Sequence, residues 1–166
     1  MPESNIRIFT GNGKGKTAMA LGLALRMHGM GKRVFVGQFI KDNPNGDIKS
    51  LRKAIPGIVT AQFGSGTGCI IGSPNETDLS CAKKGLERAK QALASANFGL
   101  VILDEITIPL YFGLLTIDDI KELISLKSPS TELVFTGRYA SSELCSLCDI
   151  VTVIESEKLP DEVPDL

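Results

Sequence analysis

The sequence predicts an α/β fold, in which a mostly parallel sheet carries helices on both faces. Short apolar segments alternate with segments whose apolar residues recur every three or four positions, which is the pattern of strands followed by amphipathic helices. One predicted strand, at residues 100–103, is apolar without interruption, as expected for a strand covered on both faces of its sheet. The chain has 166 residues, about the length of one domain, and 43% of them are hydrophobic.

Charge and composition argue against several classes of protein. Lysine and arginine number 18 against 19 acidic residues, so a strongly basic nucleic-acid-binding protein is not indicated. No apolar run approaches the roughly 18 residues that a membrane span needs, and the first residues lack the basic and apolar parts of a secretory signal. We therefore expect a cytoplasmic protein that binds neither nucleic acid nor membrane, with its cysteines reduced.

Three strands are predicted in the first half of the chain, and the first of them runs directly into a glycine-rich turn. Apolar residues at helical spacing then indicate a helix that ends at Gly29 and Gly31. Residues 64–75 are irregular, which is typical of either a functional loop or a flexible surface connection. The predicted elements are a strand at Ile6–Thr10, a helix at Thr17–Met27, a strand at Val34–Ile40, a turn at residues 43–46 and a strand at Ile58–Phe63.

The second half begins with an amphipathic helix, because leucine and alanine recur from Leu79 to Leu93 at alternating spacings of three and four. Its charged residues lie on the opposite, solvated face. Thr116 is the predicted N-cap of a later helix. The remaining elements are a strand at residues 100–105, a strand at Leu133–Thr136, a short helix at Ser141–Leu147 and a strand at Ile150–Ile154. We assign residues 1–158 to a single α/β domain and residues 159–166 to a loose acidic tail.

The turn after the first strand carries the strongest chemical signal. Residues 10–17, Thr-Gly-Asn-Gly-Lys-Gly-Lys-Thr, nearly match the phosphate-loop pattern G-x-x-x-x-G-K-[ST], with Thr10 at the first glycine position. Glycines let several backbone N–H groups converge on one anion, and the following helix adds its positive N-terminal end. Lys16 would then reach phosphate oxygens, and the Thr17 hydroxyl would bind Mg²⁺. A second lysine, Lys14, favours a triphosphate; the alternatives are a purely structural turn and an exposed turn lysine.

Charged residues also follow two later predicted strands. Asp104 and Glu105 follow the apolar strand, and Arg138 follows the fifth strand. Because ligands bind outside the carboxyl ends of parallel strands, these side chains are expected near the phosphate loop. We predict Thr17, Asp104 and Glu105 as metal ligands, directly or through water, and Arg138 as a bidentate partner of phosphate. The alternatives are that the two acids cap the next helix and that Arg138 pairs with Glu143 at the surface.

Other reactive side chains give weaker signals. His28 is the single histidine and lies at a predicted helix end, where a capping or surface role is expected. No Ser-His-Asp or Cys-His arrangement can be built without it, so hydrolytic nucleophile chemistry is not indicated. Cys145 and Cys148 have redox spacing but fall late in a short helix, so we interpret them as structural. Arg26 can face either phosphates or solvent.

Four motifs together resemble one family. The phosphate loop, Gln38–Lys41, the strand end at residues 103–105 and residues 136–138 are similar to those of P-loop ATP:corrinoid adenosyltransferases, also called cob(I)alamin or cob(I)yrinic acid a,c-diamide adenosyltransferases. The resemblance runs over residues 6–158. It implies a P-loop NTPase-like, RecA-like fold, ATP as co-substrate, Mg²⁺ as cofactor and a corrinoid as substrate. It also implies transfer of the 5′-deoxyadenosyl group of ATP to Co(I) with release of triphosphate, a reductase that supplies Co(I), and a homodimer.

The resemblance further implies roles for individual residues. ATP is expected to lie reversed in the loop, so that C5′ of the ribose faces the attacking group. The triphosphate charge would be neutralised across the site, with Lys16, Glu105 and Arg138 as the catalytic residues. Phe39 and Phe63 are expected to face the corrinoid. The nucleotide-binding residues are Gly11, Asn12, Gly13, Lys14, Gly15, Lys16, Thr17, Arg26 and Arg138. The alternatives are a P-loop ATPase or phosphotransferase and a non-catalytic protein that binds nucleotide or corrinoid.

Overall fold

Six strands form one parallel sheet in the computed structural model, which describes residues 6–66 and 73–158. The strands are β1 (Ile6–Thr10), β2 (Val34–Phe39), β3 (Val59–Phe63), β4 (Leu100–Asp104), β5 (Glu132–Thr136) and β6 (Ile150–Val153). Their spatial order is β3-β2-β4-β5-β1-β6, and every neighbouring pair is parallel. The predicted fold class is therefore confirmed.

Six helices connect these strands within the described part of the chain. They are α1 (Lys16–Gly29), α2 (Gly46–Ala54), α3 (Glu76–Ala94), α4 (Thr107–Tyr111), α5 (Ile117–Leu126) and α6 (Ser142–Ser146). Thr116 is the N-cap of α5, as predicted, because its side chain accepts a hydrogen bond from the Asp119 N–H. Helices α2 and α4 are not anticipated from the sequence. Asn45, in the predicted turn, instead caps α2 by accepting a hydrogen bond from the Ile48 N–H.

Helices cover both faces of the sheet. The side chains of β4 alternate between two apolar clusters: Val101 and Leu103 pack in the cluster that contains α3 and α5. Leu100 and Ile102 pack in the cluster that contains α1 and α2. Burial on both faces explains why β4 is apolar throughout. At the carboxyl ends of the strands, the buried residues include the polar side chains of Thr10, Gln38, Asp104 and Thr136.

The ends of the elements differ slightly from the prediction. β2 ends at Phe39 because Ile40 adopts a positive φ of 61°, which turns the chain out of the sheet. The predicted tail, residues 159–166, and the centre of the irregular segment, residues 67–72, lie outside the described residues. Among the helices of residues 6–66 and 73–158, none is long and apolar enough to cross a membrane.

Two aromatic rings join β2 and β3 near the carboxyl edge of the sheet. Phe39 and Phe63 are paired across the strands, and their ring centroids are 5.5 Å apart. The ring of Phe39 is completely buried in the core, and its contact with a corrinoid stays a prediction. Phe63 is half-buried and lines a small cavity with Ile40 and Leu114. Of the two phenylalanines, only Phe63 is accessible at the edge of the sheet.

Alanine is expected to have opposite effects on stability at two helical glycines, because one of them packs against these rings and the other does not. A Cβ at Gly85 would lie 2.6 Å from Cε1 of Phe39 and 2.9 Å from ring atoms of Phe63. We expect Gly85→Ala to lower the free energy of unfolding by about 1–3 kcal/mol, because overpacking displaces the rings. A Cβ at Gly22 in α1 would meet no atom within 4 Å. Gly22→Ala should therefore raise the free energy of unfolding by about 0.5–1 kcal/mol. Urea unfolding measures both, and equal stabilisation by the two substitutions would contradict this packing.

Candidate active site

The phosphate loop is shaped by its contact with the end of β6. The Gly13 N–H donates to the Ile154 carbonyl at 2.7 Å, and the Ile154 N–H donates to the Thr10 carbonyl at 2.8 Å. A Cβ at Gly13 would lie 2.7 Å from the same carbonyl oxygen, and a Cβ at Gly11 would also collide with it. Gly11 has a positive φ of 101°, a conformation that favours glycine. Close packing against β6 therefore requires these two glycines, whatever anion the loop binds.

Lys16 is folded back onto its own loop. Its Nζ donates hydrogen bonds to the carbonyl oxygens of Gly11, at 2.8 Å, and Gly13, at 2.7 Å. The residue is only 6% exposed, and this burial lowers the pKa of the ammonium, while the nearby Glu105 acts in the opposite direction. The ammonium is thus held against the backbone carbonyl groups of its own loop.

Asp104 is the centre of the hydrogen-bond network behind the loop. Its Oδ1 accepts hydrogen bonds from the hydroxyls of Thr17, at 2.8 Å, and Thr136, at 2.7 Å. Its Oδ2 accepts from Nε2 of Gln38 at 2.9 Å and lies 3.6 Å from Nζ of Lys41. The carboxylate is completely buried. Both carboxylate oxygens of Asp104 thus have partners within the protein.

Glu105 is the acid that faces the cavity in front of the loop. It has a positive φ of 59°, and its N–H donates to the Thr136 hydroxyl at 2.9 Å. Burial, reinforced by the charge of Asp104, raises the pKa of the Glu105 carboxyl. A Cβ at the neighbouring Gly137 would collide with the Thr107 side chain and approach Oε2 of Glu105 to 3.1 Å. Glycine at position 137 thus makes room for this carboxylate.

The cavity has a volume of about 530 Å³ and a cationic wall. Its cations are Lys14, Lys16, Lys41 and Arg138, and its acids are Asp47 and Glu105. This confirms that the strand ends bring the phosphate loop, the acid after β4 and the arginine after β5 together. From the sequence, Lys41 is identified only within the motif Gln38–Lys41 and is not predicted as a site residue. Its position directly after β2, at the same edge of the sheet, is the signal that identifies it.

Three predicted nucleotide contacts, Gly11, Asn12 and Arg26, lie outside the lining of this cavity. Arg26 is ten residues beyond Lys16 in α1, which places it about 15 Å further along the helix. It lies 3.7 Å from Glu132, at the start of β5 and hence at the opposite edge of the sheet. Arg26 is therefore distant from the cavity of its own chain, and its contact with the nucleotide stays a prediction. Asn12 is exposed on the outer side of the loop, away from the cavity lining.

The alternatives raised for individual residues can also be compared with the structure. The N-terminus of α4 has no side-chain cap, so Asp104 and Glu105 are not its capping residues. Glu143 lies 3.3 Å from Lys121, which takes the place of the predicted surface pair with Arg138. Burial raises the pKa of the Cys148 thiol to about 12, as expected for a structural cysteine.

These elements define a P-loop nucleotide-binding protein: a parallel sheet, a Gly-Lys-Thr loop between β1 and α1, and an acid at the end of β4 that accepts a hydrogen bond from Thr17. The chain belongs to the ATP:corrinoid adenosyltransferase BtuR/CobO/CobP family, whose model matches residues 3–163. This membership confirms the resemblance found in the sequence.

Named relatives agree with the family match. The corrinoid adenosyltransferase of Escherichia coli (strain K12) is 34% identical over 155 residues, covering 92% of this chain and 77% of the relative. The corrinoid adenosyltransferase CobA of Salmonella typhimurium (strain LT2) is 33% identical with the same coverage. That of Pseudomonas aeruginosa is 32% identical over 146 residues, covering 87% and 71%. The similarity therefore extends over nearly the whole of this chain.

The burial of Glu105 predicts a stability change that depends on pH. Its pKa is raised above the ordinary 4.5, so the folded protein binds this proton more tightly than the unfolded chain. Ionisation of Glu105 therefore costs stability as the pH rises above 4.5. We expect Glu105→Gln to raise the Tm of the ligand-free protein at pH 8 by about 2–4 °C, the shift that roughly 1 kcal/mol gives a domain of this size.

Two comparisons make this measurement specific. The gain in Tm should disappear below pH 4.5, where the carboxyl of Glu105 is protonated in both the folded and the unfolded state. Glu157→Gln removes the same charge from an exposed position and should leave Tm unchanged at both pH values. A Tm that falls at pH 8 in the Glu105→Gln variant would contradict the electrostatic cost.

Proposed function

We propose that this chain transfers the 5′-deoxyadenosyl group of ATP to the Co(I) of a corrinoid and releases triphosphate. The observation that supports this most directly is the cavity with four cationic side chains on a P-loop, in a chain of the ATP:corrinoid adenosyltransferase family. The named relatives are called corrinoid adenosyltransferases, and we extend that activity to this chain. ATP is the co-substrate, and the corrinoid is the second substrate.

The chemistry places most of the catalytic demand on the leaving group. Co(I) donates an electron pair to C5′, the Co–C bond forms, and the C5′–O bond breaks so that triphosphate leaves with the electron pair of that bond. No proton is transferred, so no protein base is required. The protein must instead hold C5′ towards the cobalt and stabilise the negative charge that develops on the triphosphate.

The cations of the cavity suit that demand. Lys14 and Lys16 come from the loop itself, and Lys41 and Arg138 come from the segments that follow β2 and β5. Charges that approach a chain of three phosphates from several elements can neutralise it along its whole length. We assign Lys16 and Arg138 to the catalytic stabilisation of the leaving group, and the loop from Gly11 to Thr17 to the binding of the phosphates.

The residues behind the loop fit a magnesium ion. Mg²⁺ takes few protein ligands and keeps waters and substrate phosphates in its other positions, so a cage of several acidic side chains is not needed. Thr17 donates its hydroxyl hydrogen to Asp104, which leaves the oxygen lone pairs available to a cation. We assign Thr17 to the metal, Asp104 to orienting Thr17, and Glu105 to the waters of the ion. When bound, the ion would supply positive charge against the triphosphate.

Phe63 is the residue that we propose as the contact for the corrinoid. This half-buried ring, at the end of β3, lies beside Ile40 and Leu114 at the same edge of the sheet as the cavity. An apolar ring there can pack against the face of a corrin macrocycle. The cytoplasmic location, the reductase that delivers Co(I) and the homodimer are further parts of the proposal, and they are supported by family membership alone.

Product analysis tests the proposed reaction. Anaerobic incubation with ATP and chemically reduced corrinoid should give a light-sensitive Co–C bond, read from the visible spectrum, and free triphosphate, read by anion-exchange chromatography. Lys16→Ala should lower the rate by about 100-fold or more, the cost of removing a group that stabilises developing negative charge. Lys84→Ala, on the exposed face of α3, is the control and should leave the rate unchanged. Formation of ADP and orthophosphate alone would contradict the proposal.

A further inference from the structure

A row of polar side chains crosses the carboxyl edge of the sheet from its outermost strand. Gln62 on β3 is the direct strand partner of Gln38 on β2, which is in turn the partner of Asp104 on β4. Side chains at paired positions of neighbouring strands lie on the same face and close together. The row therefore begins at β3, an edge strand of the sheet, and ends at Asp104, which accepts a hydrogen bond from Thr17.

The hydrogen bonds along this row run in one direction. Nε2 of Gln62 donates to Oε1 of Gln38 at 3.3 Å, and Nε2 of Gln38 donates to Oδ2 of Asp104 at 2.9 Å. An ionised carboxylate only accepts hydrogen bonds, so Gln38 must turn its NH₂ group towards Asp104. Its carbonyl oxygen then points to Gln62, which supplies the matching donor. The direction of the Gln38 amide is thus set from both sides.

Burial makes this arrangement sensitive to its donors. Gln38 and Asp104 are both completely buried, whereas Gln62 is half-buried. The other group near Oδ2 of Asp104 is Nζ of Lys41, at 3.6 Å, and this lysine also lines the cavity. Gln38 is thus the nearer donor to Oδ2, and Lys41 adds an ion pair to the same oxygen.

The end of β3 also holds Lys41 through the backbone. The Gly64 N–H donates to the Lys41 carbonyl at 2.8 Å. A Cβ at Gly64 would meet the backbone of Lys41 and Asp42, so the two segments are in close contact. Strand β3 therefore contacts the nucleotide site twice, once through Gln62 and Gln38 and once through Gly64 and Lys41.

We propose that Gln38 and Gln62 are positioning residues of the nucleotide site: they fix the orientation of Asp104, and through it the Thr17 hydroxyl that would hold Mg²⁺. The inference rests on the proposed function for its ligand, MgATP. It assigns to the edge strand β3 a role in metal-dependent ATP binding. Neither glutamine contacts the nucleotide, and both act through Asp104.

The test opposes the direction of the hydrogen bonds from the outer end of the row. In Gln62→Glu, the introduced carboxylate at pH 8 only accepts hydrogen bonds, so it competes with Asp104 for the NH₂ group of Gln38 and opposes the native direction of that amide. We expect the Kd for MgATP, measured by titration calorimetry, to rise about 10-fold, the lower end for loss of a group that orients a metal ligand. The Kd for ATP in EDTA should change by less than about twofold, since no metal ligand is then involved.

Two matched variants separate this effect from packing and charge. Gln62→Leu removes the donor to the Gln38 carbonyl oxygen but leaves Asp104 to attract the Gln38 NH₂ group, so its Kd for MgATP should rise by only about two- to fourfold, less than for Gln62→Glu. Gln91→Glu introduces the same charge on an exposed residue of α3 and should have no effect. The proposal is overturned if Gln62→Glu leaves the Kd for MgATP unchanged, if Gln62→Leu weakens it equally, or if Mg²⁺ does not strengthen ATP binding to the wild-type chain. Because binding is measured without corrinoid, these outcomes are independent of whether adenosyl transfer occurs.

Discussion

The arrangement of the site depends on one buried carboxylate. Asp104 lies at the carboxyl end of a strand that is otherwise apolar, where an ionised group is stable only if surrounding donors replace water. Those donors come from two other strand ends and one helix: Gln38 and Lys41 at β2, Thr136 at β5 and Thr17 in α1. Satisfying this carboxylate therefore also fixes the relative positions of the segments that line the cavity.

That constraint separates the roles of the two adjacent acids. Asp104 continues the strand and points into the network, whereas Glu105 adopts a left-handed backbone conformation and faces the cavity. The cavity consequently has a hydrogen-bonded support behind it and a mixture of four cations and two acids around it. A support that is already ordered needs little reorganisation when a triphosphate binds, which is the condition under which electrostatic stabilisation of a leaving group is most effective.

The sequence was sufficient for the strands and for most of the cavity, because strand ends converge at one edge in a parallel sheet. It did not reveal α2, a short helix whose N-terminal Asn45 is equally typical of a turn and whose stability depends on packing of Ile48. Phe39 could not be assigned, since both faces of a central parallel strand are apolar. The distance of Arg26 from the loop within its own chain was calculable from the rise of α1. Gln62 escaped attention because the pairing register of β3 is not encoded locally.

The central claim is that the cavity holds ATP so that the bond from C5′ to oxygen breaks. Its most direct measurement uses ATP with ¹⁸O in the bridge between C5′ and the α-phosphorus, reduced corrinoid as the acceptor, and mass spectrometry of the products. Cleavage at carbon transfers all of the label to free triphosphate, and none remains on the adenosyl product. Label retained in ADP, AMP or adenosine would show that a phosphorus–oxygen bond had broken instead, and would contradict the account.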